Sequence, residues 1–256
     1  MKKYNVLGIG NAVVDVISQS SDLFLEKMNI EKGIMQLVDR DRGELLYNSM
    51  DNRRQAPGGS VANTIAGIGE LGLKTGFIGK VGNDDLGNFY RSTMEEKGTD
   101  FLNELIDESD LPTSRSMIFV SDDGERSMNT YLGISAELGP DDVNLELASN
   151  AEIVFLEGYL FDKDKGKEAF IKLAKECRMA GGLSGIAISD PFCVERHRSD
   201  FLSLIKNELD YVIGNKEEIM ALFETDNFES ALLKAADISP LVVCTRSSEG
   251  VTAIQN

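Results

Sequence analysis

The chain has 256 residues, 42% hydrophobic and 27% charged, with a formal net charge of −17. That length and balance fit one large α/β domain, or a domain carrying a smaller lobe, and a charge so negative, with no basic stretch to offset it, excludes nucleic acid and anionic membrane as partners. Three widely spaced cysteines (Cys177, Cys193, Cys244) with no CxxC argue against a disulfide framework or a zinc site and point to a reducing cytosol.

Asn5, Asn11 and Asp15 interrupt the apolar stretch that follows Lys2 and Lys3, so no signal peptide is read. No apolar run approaches the roughly 20 residues of a membrane span. Asn5–Ile9 is a short apolar run that ends in Gly8-x-Gly10 and predicts a first strand. Ile34–Val38 is a second strand candidate, followed by a polar helix near Asp41–Met50. Ser60–Leu71 carries Val61, Ile65 and Ile68 at helical spacing. Phe77–Lys80 reads as a strand and Asp84–Lys97 as an amphipathic helix stopped by Gly98. Met117–Ser121 and Ser127–Tyr131 flank Asp122-Asp123-Gly124, the pattern of a hairpin.

From there the alternation is regular. Strands are expected over Ile153–Leu156, Ile186–Ser189, Tyr211–Ile213 and Leu241–Cys244. Helices are expected over Lys163–Arg178, Arg198–Leu209, Lys216–Phe223 and Phe228–Ala236, and another strand begins at Val251. Such alternation means βαβ units and a parallel sheet flanked by helices. The hairpin segments of the first half, within 12–50 and 112–135, predict a small β-sheet attached to a single domain that spans 1–256. In parallel sheets of this kind the chemistry sits at the carboxyl ends of the strands.

Several chemistries lack their residues. No GxxxxGK[ST] occurs, and Gly8-x-Gly10 meets Val13 where a dinucleotide fingerprint needs glycine. The one histidine, His197, lies among Glu195, Arg196 and Arg198 and reads as a surface residue. Four segments carry more. Pro57-Gly58-Gly59-Ser60-Val61-Ala62-Asn63 opens a helix with paired glycines that let backbone approach a ligand, and the Asn63 amide suits vicinal hydroxyls; a plain helix start is the other reading. Asp15 interrupts an apolar stretch just after Asn11, where it either accepts from substrate hydroxyls or faces water on an edge strand. Asn215-Lys216-Glu217-Glu218 follows a strand and fits both a capping box and a pair that orders water around a phosphate-bound cation. Thr245-Arg246-Ser247-Ser248-Glu249-Gly250 is a polar loop after a strand, suited to a nucleotide or to a plain turn.

In their order, GGSVAN, ELGLKTGFIGKVGNDDLG, NKEE and TRSSEG resemble the ribokinase family, also called PfkB carbohydrate kinases. The resemblance implies a doubly wound α/β fold, a mostly parallel sheet flanked by helices, with a small β-sheet lid. It implies an ATP- and Mg²⁺-dependent transfer of phosphate to an alcohol. By the same resemblance Asn11, Asp15, Gly58, Gly59, Asn63 and Glu157 hold substrate hydroxyls. Asn215 and Glu218 organise Mg²⁺, Glu218 through water, and Thr245, Arg246, Ser247 and Gly250 cradle ATP. The family usually has glycine where this chain has Ser247. Its Gly-Ala-Gly-Asp element, which carries the catalytic base, is expected beyond Asn256, so the 256-residue chain is expected to turn over poorly. GIGNAVVD, MNTYLG, LEGYL and SDPFC look most like the bacterial adenosine-kinase branch, with Tyr131, Tyr159 and Phe192 as candidates to stack on a purine or to pack a core. A sugar such as fructose or ribose is the other substrate class, and a non-catalytic nucleoside- or sugar-binding protein the other function class. A monovalent cation, and either a monomer or a homodimer, are compatible with the resemblance.

Overall fold

β1 (Tyr4–Ile9) sends its side chains alternately into two apolar layers: Leu7 and Ile9 into one, Val6 into the other. A strand buried on both faces reads as a continuous apolar run, which is why it was visible in the sequence. The computed structural model describes residues 2–256. In it, β1 lies between two parallel neighbours, β5 (Thr75–Ile78) and β9 (Ala151–Glu157). Beyond β5 lies β6 (Thr99–Phe101). Beyond β9 follow β10 (Leu183–Ala187), β11 (Tyr211–Asn215), β12 (Leu241–Thr245) and β13 (Val251–Gln255). Seven of these eight strands are parallel; β13 alone runs antiparallel, as a hairpin with β12. The chain therefore winds outward from β1 in both directions, and the order reverses between β1 and β9.

One apolar layer joins the sheet to α6 (Asp164–Met179), α7 (Pro191–Glu208), α8 (Lys216–Leu222) and α9 (Phe228–Ile238). The other joins it to α3 (Ser60–Glu70), α4 (Asp85–Glu96) and a second sheet. That smaller sheet has five strands, in the order β3 (Met35–Leu37), β8 (Arg126–Tyr131), β7 (Ser114–Val120), β2 (Val13–Gln19) and β4 (Arg54–Gly58). Val14, Val16, Met117 and Phe119 on one of its faces join the core with Leu25 of α1 (Asp22–Lys27) and Leu46 of α2 (Arg40–Asn48).

The expected hairpin is β7 and β8. The edge strand that was one reading of Asp15 is β2, and it lies inside the smaller sheet, between β7 and β4. Two strands were not foreseen: β6 is three residues long, and β4 contains Pro57. Proline is tolerated in β4 because that strand is an edge and pairs with β2 alone. Helix α7 starts at Pro191, capped by Asp190, seven residues before the periodicity suggested, and breaks its helical geometry at His197. His197 is not the surface residue expected. Its ring packs against Phe161 and Phe201, and its Nε2 lies 2.7 Å from Asp162. Among the described residues no helix is long and apolar enough to cross a membrane.

Candidate functional site

The crevice outside the carboxyl ends of β1 and β9 is the switch point of the sheet, where doubly wound folds bind ligands. Gly10 and Asn11 leave β1 there, and Glu157 is the last residue of β9. Glu157 is 1% exposed. One carboxylate oxygen accepts from the backbone N–H and the side-chain amide of Asn11, at 2.6 and 2.9 Å. The other accepts from the N–H and hydroxyl of Ser60, at 3.2 and 2.6 Å. Burial lifts the Glu157 carboxyl above the usual carboxylate range, while the donors from Asn11, Ser60 and Val61 pull it back. Asn11 is itself buried, and its side-chain oxygen accepts from Ser135 at 3.2 Å. One acid thus ties β1, α3 and β9 together at the floor of the crevice.

Asp15 stands on β2 above this floor. Burial pushes it up to about 6, against the pull of the Arg126 guanidinium. Among the described residues no hydrogen bond reaches its carboxylate, so its oxygens remain free to accept from a ligand. Gly58 leaves the room: a Cβ there would fall 2.4 Å from Asp15 Oδ1. Gly59 has φ of 100°, and a Cβ on it would lie 2.5 Å from the Asn11 carbonyl oxygen. Gly59→Ala is therefore expected to lower stability by about 1–3 kcal/mol, a fall in thermal midpoint of roughly 3–10 °C; a midpoint unchanged in a thermal melt would contradict this account of the turn. Asn63, on the first turn of α3, is exposed, and among the described residues it makes no side-chain bond to Asp15 or Glu157.

A second group lies along the same sheet edge. Asn215 ends β11 and caps α8. Its N–H and amide donate to Glu218 at 2.9 and 2.6 Å, and its side-chain oxygen accepts from the Glu218 N–H at 2.8 Å. Glu218 is buried and pushed up to about 7, first by burial and then by the negative charge of Asp190 and Glu217. Because Asn215 already bonds both carboxylate oxygens, the pair suits contact with a hydrated divalent cation better than direct ligation. Among the described residues no three His, Cys, Asp or Glu side chains are grouped to hold a metal. Thr245 lies opposite Asn215 in the β11–β12 register, at the start of the hairpin loop. Within that loop the Arg246 N–H donates to the Gly250 carbonyl at 2.8 Å. Ser247 adopts φ of 50°, so it takes the left-handed shape that glycine has elsewhere, at a strain of about 1–2 kcal/mol.

The aromatic candidates separate. Phe192 is exposed beside Asp190, and Tyr131 is buried. The Tyr159 hydroxyl donates to Asp190 at 2.6 Å. Ser60 and Asp190 stood inside the quoted segments without a role of their own, and nothing in the sequence pointed to Arg126. Arg126 is the cation whose charge pulls against the burial of Asp15, although it lies more than a hundred residues away in the chain.

A doubly wound sheet, an acid cluster at its switch point and a second, smaller sheet over that point define a ribokinase-like α/β protein. The chain belongs to the pfkB family of carbohydrate kinases, whose model matches residues 33–256. A probable sugar kinase of Rhizobium etli CFN 42 is 40% identical with a TM-score of 0.93, over 100% of this chain and 77% of that one. The adenosine kinase of Sinorhizobium meliloti is 42% identical with a TM-score of 0.92, over 99% of this chain and 77% of that one. The 5-dehydro-2-deoxygluconokinase of Halalkalibacterium halodurans is 29% identical over 171 residues, 64% of this chain and 51% of that protein. The chain spans about half the length of this curated relative.

Proposed function

We propose that the chain supplies the acceptor and magnesium sides of an ATP-dependent kinase that phosphorylates the primary hydroxyl of a nucleoside, with adenosine as the substrate and AMP as the product. The face of the smaller sheet that bears Asp15 carries this reading. In register, Asp15 lies opposite Ser116, Ser116 opposite Thr130, and Thr130 opposite Leu37. The next row on that face is apolar: Ile17, Ile118, Met128 and Met35. Ser116 and Ile118, on the middle strand of the face, are 1% and 2% exposed, whereas Met35 and Leu37 at its far side are 39% and 55% exposed. The rows stand about 6.6 Å apart along the strands. A ribose bonded to Asp15 would set its attached base over the apolar row; a free hexose would not extend over it. The likeness to a bacterial adenosine kinase supports the same reading.

In this reading Asp15 accepts from ribose hydroxyls, with Asn11, Gly58, Gly59 and Asn63 around the ring and Glu157 holding Asn11 and Ser60 in place. Asn215 and Glu218 would order the waters of Mg²⁺, and residues Thr245–Gly250 would line the nucleotide. Bound Mg-ATP would supply the phosphoryl group and the charge that neutralises its oxygens. The smaller sheet acts as a lid that keeps water from the transferring group. No Gly-Ala-Gly-Asp element occurs in these 256 residues, so the chain by itself is expected to turn over slowly. Three buried free cysteines support a reducing, cytoplasmic setting.

A sugar kinase is the second reading, favoured by the hydroxyl pair Ser116–Thr130 at 2.9 Å beside Asp15 and by curated relatives named as sugar kinases. Calorimetric titration with adenosine, ribose and fructose separates the two. Binding of adenosine with both free sugars silent is expected; binding of a sugar in its place would move the substrate to that class. Adenosine-dependent ADP release would exclude a non-catalytic binding protein.

A further inference from the structure

Tyr90, on α4, is fully buried among Phe77 and Phe101, with ring centroids 6.3 and 5.9 Å away. Phenylalanine would fill that aromatic cluster equally well, and a hydroxyl buried without a partner is costly. The Tyr90 hydroxyl donates to the carbonyl oxygen of Gly58, at 3.1 Å. That bond links α4 to the turn where the chain leaves the smaller sheet for the larger one.

We propose that Tyr90 is a positioning residue: its hydroxyl fixes the Gly58–Ser60 turn, and through that turn the geometry of Asp15 and Glu157 toward the substrate. Each residue of the turn meets a different part of the site. Gly58 abuts the Asp15 carboxylate, Gly59 abuts the Asn11 carbonyl, and Ser60 donates twice to Glu157. The bond from Tyr90 holds the first of the three from behind, and α4 packs against both β2 and β4 of the smaller sheet as well as β6 of the larger. Burial, with the nearby charges of Glu157 and Asp15, keeps the Tyr90 hydroxyl protonated and therefore a donor. The effect on substrate rests on the kinase reading above; the fixing of the turn does not.

The test compares Tyr90→Phe with Tyr211→Phe in the full 256-residue chain. Tyr211 is a control of the same chemistry, a partly buried tyrosine whose hydroxyl donates to the Val154 carbonyl at 2.9 Å, away from the turn. Amide hydrogen exchange over residues 58–63 is expected to be roughly tenfold faster in Tyr90→Phe and unchanged in Tyr211→Phe. Adenosine is expected to bind roughly tenfold more weakly to Tyr90→Phe, while the affinity for Mg-ATP stays as it was. Equal exchange at 58–63 in the two variants would overturn the proposal. So would faster exchange with unchanged adenosine affinity. If the unsubstituted chain binds neither adenosine nor a free sugar, the kinase reading fails, and the exchange comparison still decides whether Tyr90 fixes the turn.

Discussion

Asp15→Asn is expected to give a more stable protein that has lost its hold on the substrate. Burial raises the Asp15 carboxyl from 3.8 to about 6. A carboxyl whose pKa is higher in the folded state holds its proton more tightly there than in the unfolded chain. Stability is then greatest below about pH 4, falls as the pH rises from about 4 to about 6, and stays reduced above that. Asparagine removes the buried charge. The gain at pH 7.5 is about 3 kcal/mol by the full shift and about 1–2 kcal/mol once solvent screening of this partly exposed side chain is allowed for. The thermal midpoint should rise by roughly 2–6 °C. Binding moves the other way. Two hydrogen bonds to a charged acceptor, worth about 1.5–3 kcal/mol each, correspond to a loss of roughly 100-fold or more in adenosine affinity. In the unsubstituted chain adenosine affinity should weaken as the pH drops through about 6, and in Asp15→Asn that dependence should vanish. Titrations at pH 5 and 8 decide it: an affinity that is level between them, or a variant within threefold of the parent, contradicts the role given to Asp15.

Glu157→Gln should damage the fold despite its matching shape. Each Glu157 oxygen accepts two hydrogen bonds, one pair from Asn11 and the other from Ser60. Turned toward Asn11, the NH₂ group of a glutamine amide faces two N–H donors; turned toward Ser60, it faces one N–H and a hydroxyl that can rotate to accept. At least one buried N–H donor is left without an acceptor and the remaining bonds lose their charge assistance, at about 2–4 kcal/mol. The thermal midpoint should fall by roughly 5–12 °C, and urea unfolding should show a lower midpoint at an unchanged slope. A variant within about 0.5 kcal/mol of the parent would mean that the acid does not hold the crevice floor together.

What could be read from the sequence follows from how each segment is buried. β1, β9 and β11 lie between two apolar layers and announce themselves as short apolar runs, and β12 does so with one face in the core. β2 and β4 belong to a sheet with one face in the core and one open. β4 carries two arginines' worth of polarity at its start, Arg53 before it and Arg54 within it, and a proline near its end, so no local pattern marks it as a strand. Asn11 and Asp15 were visible because polar residues interrupt apolar neighbours. Glu157 was visible only through the family resemblance, since a single acid after Phe155-Leu156 has no periodicity to stand out from. Tyr90 sits at a core position of an amphipathic helix, and nothing local separates its hydroxyl from the packing of its ring. Arg126 and His197 matter through partners distant in the chain, Asp15 and Asp162, which a local reading does not pair.

The chain crosses between the two sheets four times, and two of these crossings, Gly10–Ala12 and Gly58–Ser60, are also where the site residues meet. A rotation of one sheet against the other therefore moves the groups that grip the ligand. One short set of positions therefore bears two selective pressures, and a substitution there alters grip and opening together. The rows at Met35, Leu37, Ser116, Met128 and Thr130 lie out along the strands, away from these two crossings. Over evolutionary time a change of diet should be written in those rows, with the crossings left untouched.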